Sequence, residues 1–203
     1  KQQQQQKQAT YVKESQLYVD KYKPQSFADL LTNHWVNREV LSWVKEWDGL
    51  VFKKPLKTLV PEKKILLLAG PPGIGKTVLA HMVAKMSGYQ PFEINASDSR
   101  SKSSLMRDVM SRVSTTSVLR EIKPKLLILD EIDGAVGGPS DRSAIEALVE
   151  LAKRTKDSKK ETLQRPIICI CNELYAPAIR SLRMYAKVIT FRRTKNNEQR
   201  ILK

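Results

Sequence analysis

Gly70-Pro71-Pro72-Gly73-Ile74-Gly75-Lys76-Thr77 fits the spacing G-x-x-x-x-G-K-[ST] at every fixed position. Ile65-Leu66-Leu67-Leu68-Ala69 comes just before it and reads as a buried strand, and Val78 to Met86 comes after it as a helix. That strand-loop-helix setting separates a phosphate-binding loop from a chance Gly/Pro turn. Glycines let the backbone curl so that several N–H groups and a helix N-terminus face negative charge. The nucleotide-binding set is therefore Gly70, Pro71, Pro72, Gly73, Ile74, Gly75, Lys76, Thr77 and Val78. Lys76 is expected to reach the β/γ-phosphates of ATP, and the Thr77 hydroxyl to ligate Mg²⁺.

A second stretch, Lys125-Leu126-Leu127-Ile128-Leu129-Asp130-Glu131-Ile132-Asp133, is an apolar strand that ends in carboxylates. Strands of a parallel sheet are buried on both faces, and ligands sit at their carboxyl ends. Asp130 is expected to hold the metal, and Glu131 to orient or deprotonate the attacking water. A surface acidic turn after a core strand is common by itself. With a phosphate loop about fifty residues upstream, the catalytic reading is favoured. A third run, Pro166 to Asn172, ends in a polar residue, and Asn172 is expected to sense the γ-phosphate or the water. On its own it would read equally well as an Asn that terminates a strand.

The chain has 203 residues, of which 41% are hydrophobic, enough for one α/β domain with a core. Lys and Arg number 36 against 21 acidic residues, a net charge of +15, and the isoelectric point lies near 9.9. That excess suggests a polyanionic partner, although a generally basic soluble surface would give the same sum. No run of about 18 apolar residues is present, so no membrane span is expected. Cys169 and Cys171 lie two apart on one predicted strand and read as core packing in a reduced compartment.

Residues 1–16 form a glutamine-rich tail, expected to be disordered. The ATPase domain is expected over 17–195, with a linker at 53–64 and a polar loop at 153–165 inside it. Residues 196–203 are expected to begin a lid domain. Helices are predicted over 37–47 with Val40, Leu41, Val44 and Trp47 on one face, over 103–113, and over 143–152. Gly137-Gly138-Pro139 is expected as a flexible turn. Further strands are predicted over 91–95 and 188–191. Alternating strands and helices predict a parallel sheet with helices on both faces.

The motifs together resemble the clamp-loader branch of the AAA+ ATPases, the replication factor C family. Tyr18-Val19-Asp20-Lys21-Tyr22-Lys23-Pro24 with Phe27 and Asp29-Leu30-Leu31 is similar to the segment that lines the adenine pocket in that family. Asn95-Ala96-Ser97-Asp98 is typical of its subunits, and Arg100-Ser101-Lys102, directly after it, resembles the large-subunit variant of that segment. Asn37-Arg38 with Leu41 to Asp48, Asp130 to Ala135, and Arg165 to Asn172 with Tyr175-Ala176-Pro177 resemble most the large subunits of the alternative loader named for chromosome transmission fidelity. The resemblance runs from Leu17 to about Arg193.

It implies a RecA-like core with Val19, Tyr22 and Pro24 at the adenine. It also implies a nuclear heteropentamer with small replication factor C subunits, which loads or unloads the ring-shaped clamp PCNA at primer-template DNA in replication and sister-chromatid cohesion. Helix starts that face the DNA in such loaders make Arg100, Lys102 and Arg142 the expected phosphate contacts. Small subunits carry a Ser-Arg-Cys motif before the last strand. Met184-Tyr185-Ala186 stands there in this chain, so no arginine is expected to reach a neighbour's site. The lid's sensing arginine and the collar are not expected within these residues. An alternative reading keeps ATP as a structural ligand of a ring subunit.

Overall fold

The computed structural model describes residues 24, 26–30, 32–52, 61–96, 123–134, 139–153 and 163–192. The chain divides into two compact units, Lys1–Leu30 and Leu31–Lys203. In the first, Phe27–Asp29 forms one 3-10 turn. It is closed at both ends: Asp29 N donates to Ser26 O at 3.1 Å, and Ser26 N donates to Asp29 Oδ2 at 2.9 Å. Paired capping of this kind satisfies amide groups that a helix start leaves open.

The second unit is built on five strands: β1 (Ile65–Ala69), β2 (Gln90–Asn95), β3 (Lys125–Asp130), β4 (Ile167–Cys171) and β5 (Ala186–Thr190). They lie in the order β2-β3-β4-β1-β5, and every pairing is parallel. All five residues of β1 and of β4 are buried, as central strands of a sheet covered on both faces must be. The register sets Ala69 opposite both Cys171 and Thr190, so the carboxyl ends of three strands finish level. The edge strands β2 and β5 are partly exposed.

Among the described residues the helices are α1 (His34–Glu46), α2 (Asp48–Val51, one turn), α3 (Lys76–Met86), α4 (Pro139–Lys153) and α5 (Arg180–Tyr185). Helix α1 starts at His34, ahead of the predicted 37, because the Asn33 side chain accepts from Trp35 N at 2.9 Å and caps it. Its buried face carries Val40, Trp43, Val44 and Trp47. Leu41, predicted on that face, is only half-buried. Trp43 takes its place and stacks edge-on against Trp47, centroids 6.1 Å apart.

Pro139 opens α4 at the helix start, where its missing N–H costs no intrahelical bond. The expected turn at 137–139 is thus corrected at Pro139, and 137–138 lie outside the described residues. Of the expected linker at 53–64, residues 61–64 are anchored: Trp43 Nε1 donates to Lys63 O at 2.9 Å, and Lys63 Nζ donates to Met184 O at 3.0 Å. Residues 53–60 lie outside the described set. So do the tail at 1–16, the expected helix at 103–113, most of the loop at 153–165, and 196–203.

Candidate nucleotide site

Gly75 precedes α3 with φ +93°, a left-handed turn that swings the chain from the loop into the helix. Gly70 answers a different constraint. A Cβ on it would lie 2.7 Å from Phe191 O and 2.8 Å from Phe191 Cβ, so β1 can leave the sheet there only without a side chain. Phe191 N donates to Ala69 O at 2.7 Å and Gly70 N to Cys171 O at 3.3 Å, which clamps the start of the loop between its neighbours.

The loop opens onto a cleft of about 330 Å³ lined by Pro72, Gly73, Gly75, Lys76, Thr77, Val78, Asp130, Glu131 and Asn172. These residues come from the carboxyl ends of β1, β3 and β4, three adjacent central strands. Gly70 and Pro71 contribute carbonyls at its base, and Ile74 is not among the lining residues.

Lys76 is 5% exposed. Its Nζ donates to Gly70 O at 2.7 Å, Pro71 O at 2.9 Å and Asn172 Oδ1 at 3.0 Å. Burial pushes this ammonium below its usual range, against the pull of Asp130 and Asp133. A desolvated cation with three neutral acceptors is poised to exchange carbonyls for phosphate oxygens. Thr77 Oγ1 donates to Asp130 Oδ2 at 2.7 Å, which joins a hydroxyl and a carboxylate as hard oxygen donors. Mg²⁺ takes such oxygens, typically one or two carboxylates with waters and phosphates. The donor set and the glycine-lined cleft therefore fit a magnesium-bound nucleoside triphosphate.

Glu131 adopts φ +54°, unusual for a residue with a Cβ, and its N–H donates to Asp130 Oδ1 at 2.8 Å. The turn ends the strand and re-aims the carboxylate toward the cleft. Its Oε2 accepts from Asn95 Nδ2 at 3.1 Å, across from the end of β2. Asp133 Oδ2 accepts from Asn172 N and Glu173 N, both at 2.9 Å, and so fixes the backbone that carries Asn172.

Sequence reasoning misses the support that Asn95 and Asp133 give the site. Asn95 reads from the sequence as a strand end and as the start of the Asn95–Asp98 segment typical of the replication factor C family, and neither reading ties its amide to Glu131. Cys171, next to Asn172, is buried and its thiol is pushed up to about 12 by burial and by Asp133. It packs as expected and supplies no thiolate.

Lys76, Thr77, Asp130, Glu131 and Asn172 thus meet at one place. Pro24 belongs to the first unit, ahead of its 3-10 turn. Val19, Tyr22, Arg100 and Lys102 lie outside the described residues, and Arg142 falls on the backbone of α4.

The family model described as "ATPase family associated with various cellular activities (AAA)" matches residues 66–193, more than half of the chain. This chain belongs to the AAA family of ATPases. The RecA-like α/β core is the architecture expected of it. Chromosome transmission fidelity protein 18 of Schizosaccharomyces pombe is 41% identical over 204 residues, covering 87% of this chain and 21% of that protein. The human chromosome transmission fidelity protein 18 homolog is 31% identical over 235 residues, covering 86% of this chain and 24% of the homolog. The replication factor C large subunit of Sulfurisphaera tokodaii is 37% identical over 184 residues, covering 90% and 38%. The resemblance to the replication factor C family, and to its chromosome transmission fidelity large subunits in particular, holds. The chain spans about a fifth of the length of the first of these relatives. Among the described residues, no helix is long and apolar enough to cross a membrane.

Proposed function

We propose that this chain is the ATP-hydrolysing core of a clamp-loader large subunit, converting ATP and water to ADP and phosphate. The observation that carries this is the meeting of Lys76, Thr77, Asp130, Glu131 and Asn172 in one cleft, in a chain similar to replication factor C large subunits. In this reading Lys76 gives up the Gly70 and Pro71 carbonyls for the β/γ-phosphates, and Asn172 turns from Lys76 to the γ-phosphate or the water. Mg²⁺ held by Thr77 and Asp130 would neutralise charge that develops on the phosphate oxygens. Glu131 leaves Asn95 and accepts a proton from the attacking water through its carboxylate.

The partners we assign are small replication factor C subunits in a heteropentamer, the PCNA clamp and primer-template DNA, in the nucleus. Replication and sister-chromatid cohesion are the processes. Arg100, Lys102 and Arg142 are assigned to the template phosphates, and Val19, Tyr22 and Pro24 to the adenine.

A second reading makes ATP a structural ligand. The hydrogen bond that holds Glu131 to Asn95 favours it, because a tethered carboxylate does not activate water. Single-turnover hydrolysis in the assembled complex separates the two. Glu131→Gln is expected to keep ATP binding and slow hydrolysis by about 10²–10⁴, and Lys76→Ala to abolish binding. Unchanged turnover in the Glu131→Gln complex would sink the catalytic assignment.

A further inference from the structure

Helix α5 and the turn before it gather rings and cations that nucleotide chemistry leaves unused. Tyr175 is 76% exposed and Met184 68%, high for side chains of their size. The tyrosine is nevertheless held in place. The Arg183 guanidinium stands 4.8 Å from the Tyr175 ring centroid, and its Nη1 donates to Leu174 O at 3.4 Å. At the other end of the helix, Lys153 Nζ from the last residue of α4 stands 4.7 Å from the Tyr185 ring centroid. Arg180 is exposed on the same helix. From Glu173 to Tyr185 the only carboxylate is Glu173, against Arg180 and Arg183.

We propose that this surface binds single-stranded nucleic acid, with the exposed Tyr175 ring stacking on an unpaired base and Arg180 and Arg183, one helical turn apart, meeting phosphates. A cation on one face of a ring fixes its orientation and leaves the opposite face for a base. Stacking of this kind tolerates any sequence, because every base has a π-face. An acidic protein surface would be satisfied by the charges alone and would not call for an exposed, immobilised ring. Of the template contacts assigned above, Arg142 lies on α4 toward the opposite end from Lys153.

The test is fluorescence anisotropy of labelled oligo-dT with the full chain, without nucleotide, over a range of salt. Tyr175→Ala is expected to weaken binding about tenfold, within the roughly 5- to 150-fold that loss of one stacked base gives, and Tyr175→Phe to preserve it. Arg180→Ala is expected to lower the slope of log K against log salt by about 0.7. Tyr175→Ala is expected to weaken oligo-dT binding more than the Arg100→Ala, Arg142→Ala pair does. Oligo-dT affinity that ignores Tyr175→Ala overturns the proposal. If it tracks the Arg100, Arg142 pair instead, the proposal falls and the template assignment stands. Displacement of the oligomer by polyglutamate in a Tyr175-dependent way also overturns it, and assigns the face to an acidic protein.

Discussion

Replacing Gly70 by alanine tests how tightly the start of the loop is clamped. The new Cβ would lie 2.7 Å from Phe191 O and 2.8 Å from Phe191 Cβ, whereas carbon atoms rest about 3.5–4.0 Å apart. The gap must open by roughly 1 Å. Phe191 N donating to Ala69 O at 2.7 Å, and Gly70 N donating to Cys171 O at 3.3 Å, resist that opening. Overpacking of this sort costs about 1–3 kcal/mol. The positive φ adds a backbone cost of its own, since an L side chain rarely adopts it.

Gly73 supplies the control: it also has positive φ, +74°, and a Cβ there meets nothing within 4 Å. Gly73→Ala should show the backbone cost alone, about 1–2 kcal/mol. Gly70→Ala should exceed it by about 1–3 kcal/mol. Urea unfolding of both variants, compared at equal m-values, measures the difference. Gly70→Ala should also loosen Lys76, whose ammonium bonds to the Gly70 carbonyl, so nucleotide affinity should fall with it. Equal destabilisation of the two variants, within about 0.5 kcal/mol, would refute the claim that Phe191 excludes a side chain at Gly70.

Glu131→Gly should stabilise the chain against urea by up to about 1–2 kcal/mol by relieving the positive φ while destroying hydrolysis; a destabilised variant would mean that the turn carries no strain. Asp133→Ala removes the acceptor for Asn172 N and Glu173 N and should cost about 1–3 kcal/mol, with faster hydrogen exchange at those two amides; unchanged exchange would show that the carboxylate does not hold the segment. Tyr185→Ala should leave ATP hydrolysis at neighbouring subunits of the assembled complex unchanged. A selective loss there would place a trans-acting arginine at Arg180 or Arg183.

The sheet and the phosphate loop are legible in the sequence because their signals are local and redundant. Ile65 to Ala69 is apolar without interruption, and the strand has those bounds. Asp130 and Glu131 end an apolar run, and the parallel register carries them to the same edge as Asn172. Helix α5 is not legible: Arg180 to Tyr185 is too short to show a helical period and is fixed by packing against α4. The supporting roles of Asn95 and Asp133 depend on hydrogen bonds across 36 and 39 residues, which no local pattern encodes. The segment at 61–64 misleads because its lysines suggest solvent, whereas the contact with Trp43 uses a backbone carbonyl that composition does not reveal.

The position of β1 between β4 and β5 also governs when this protein can take shape during synthesis. Ile65 pairs with Ile167 and with Ala186, partners that are translated roughly a hundred residues later. At about 5–20 residues per second, the central strand waits on the order of 5–25 s with both hydrogen-bonding edges unmatched. A nascent chain stalled before Ala186 would have its phosphate loop already made but unbraced, and its most apolar strand open to pairing with other chains. Strand β5 therefore acts as the closing piece: the Phe191 N–H that braces the start of the loop arrives only after the residues lining the nucleotide site have been made.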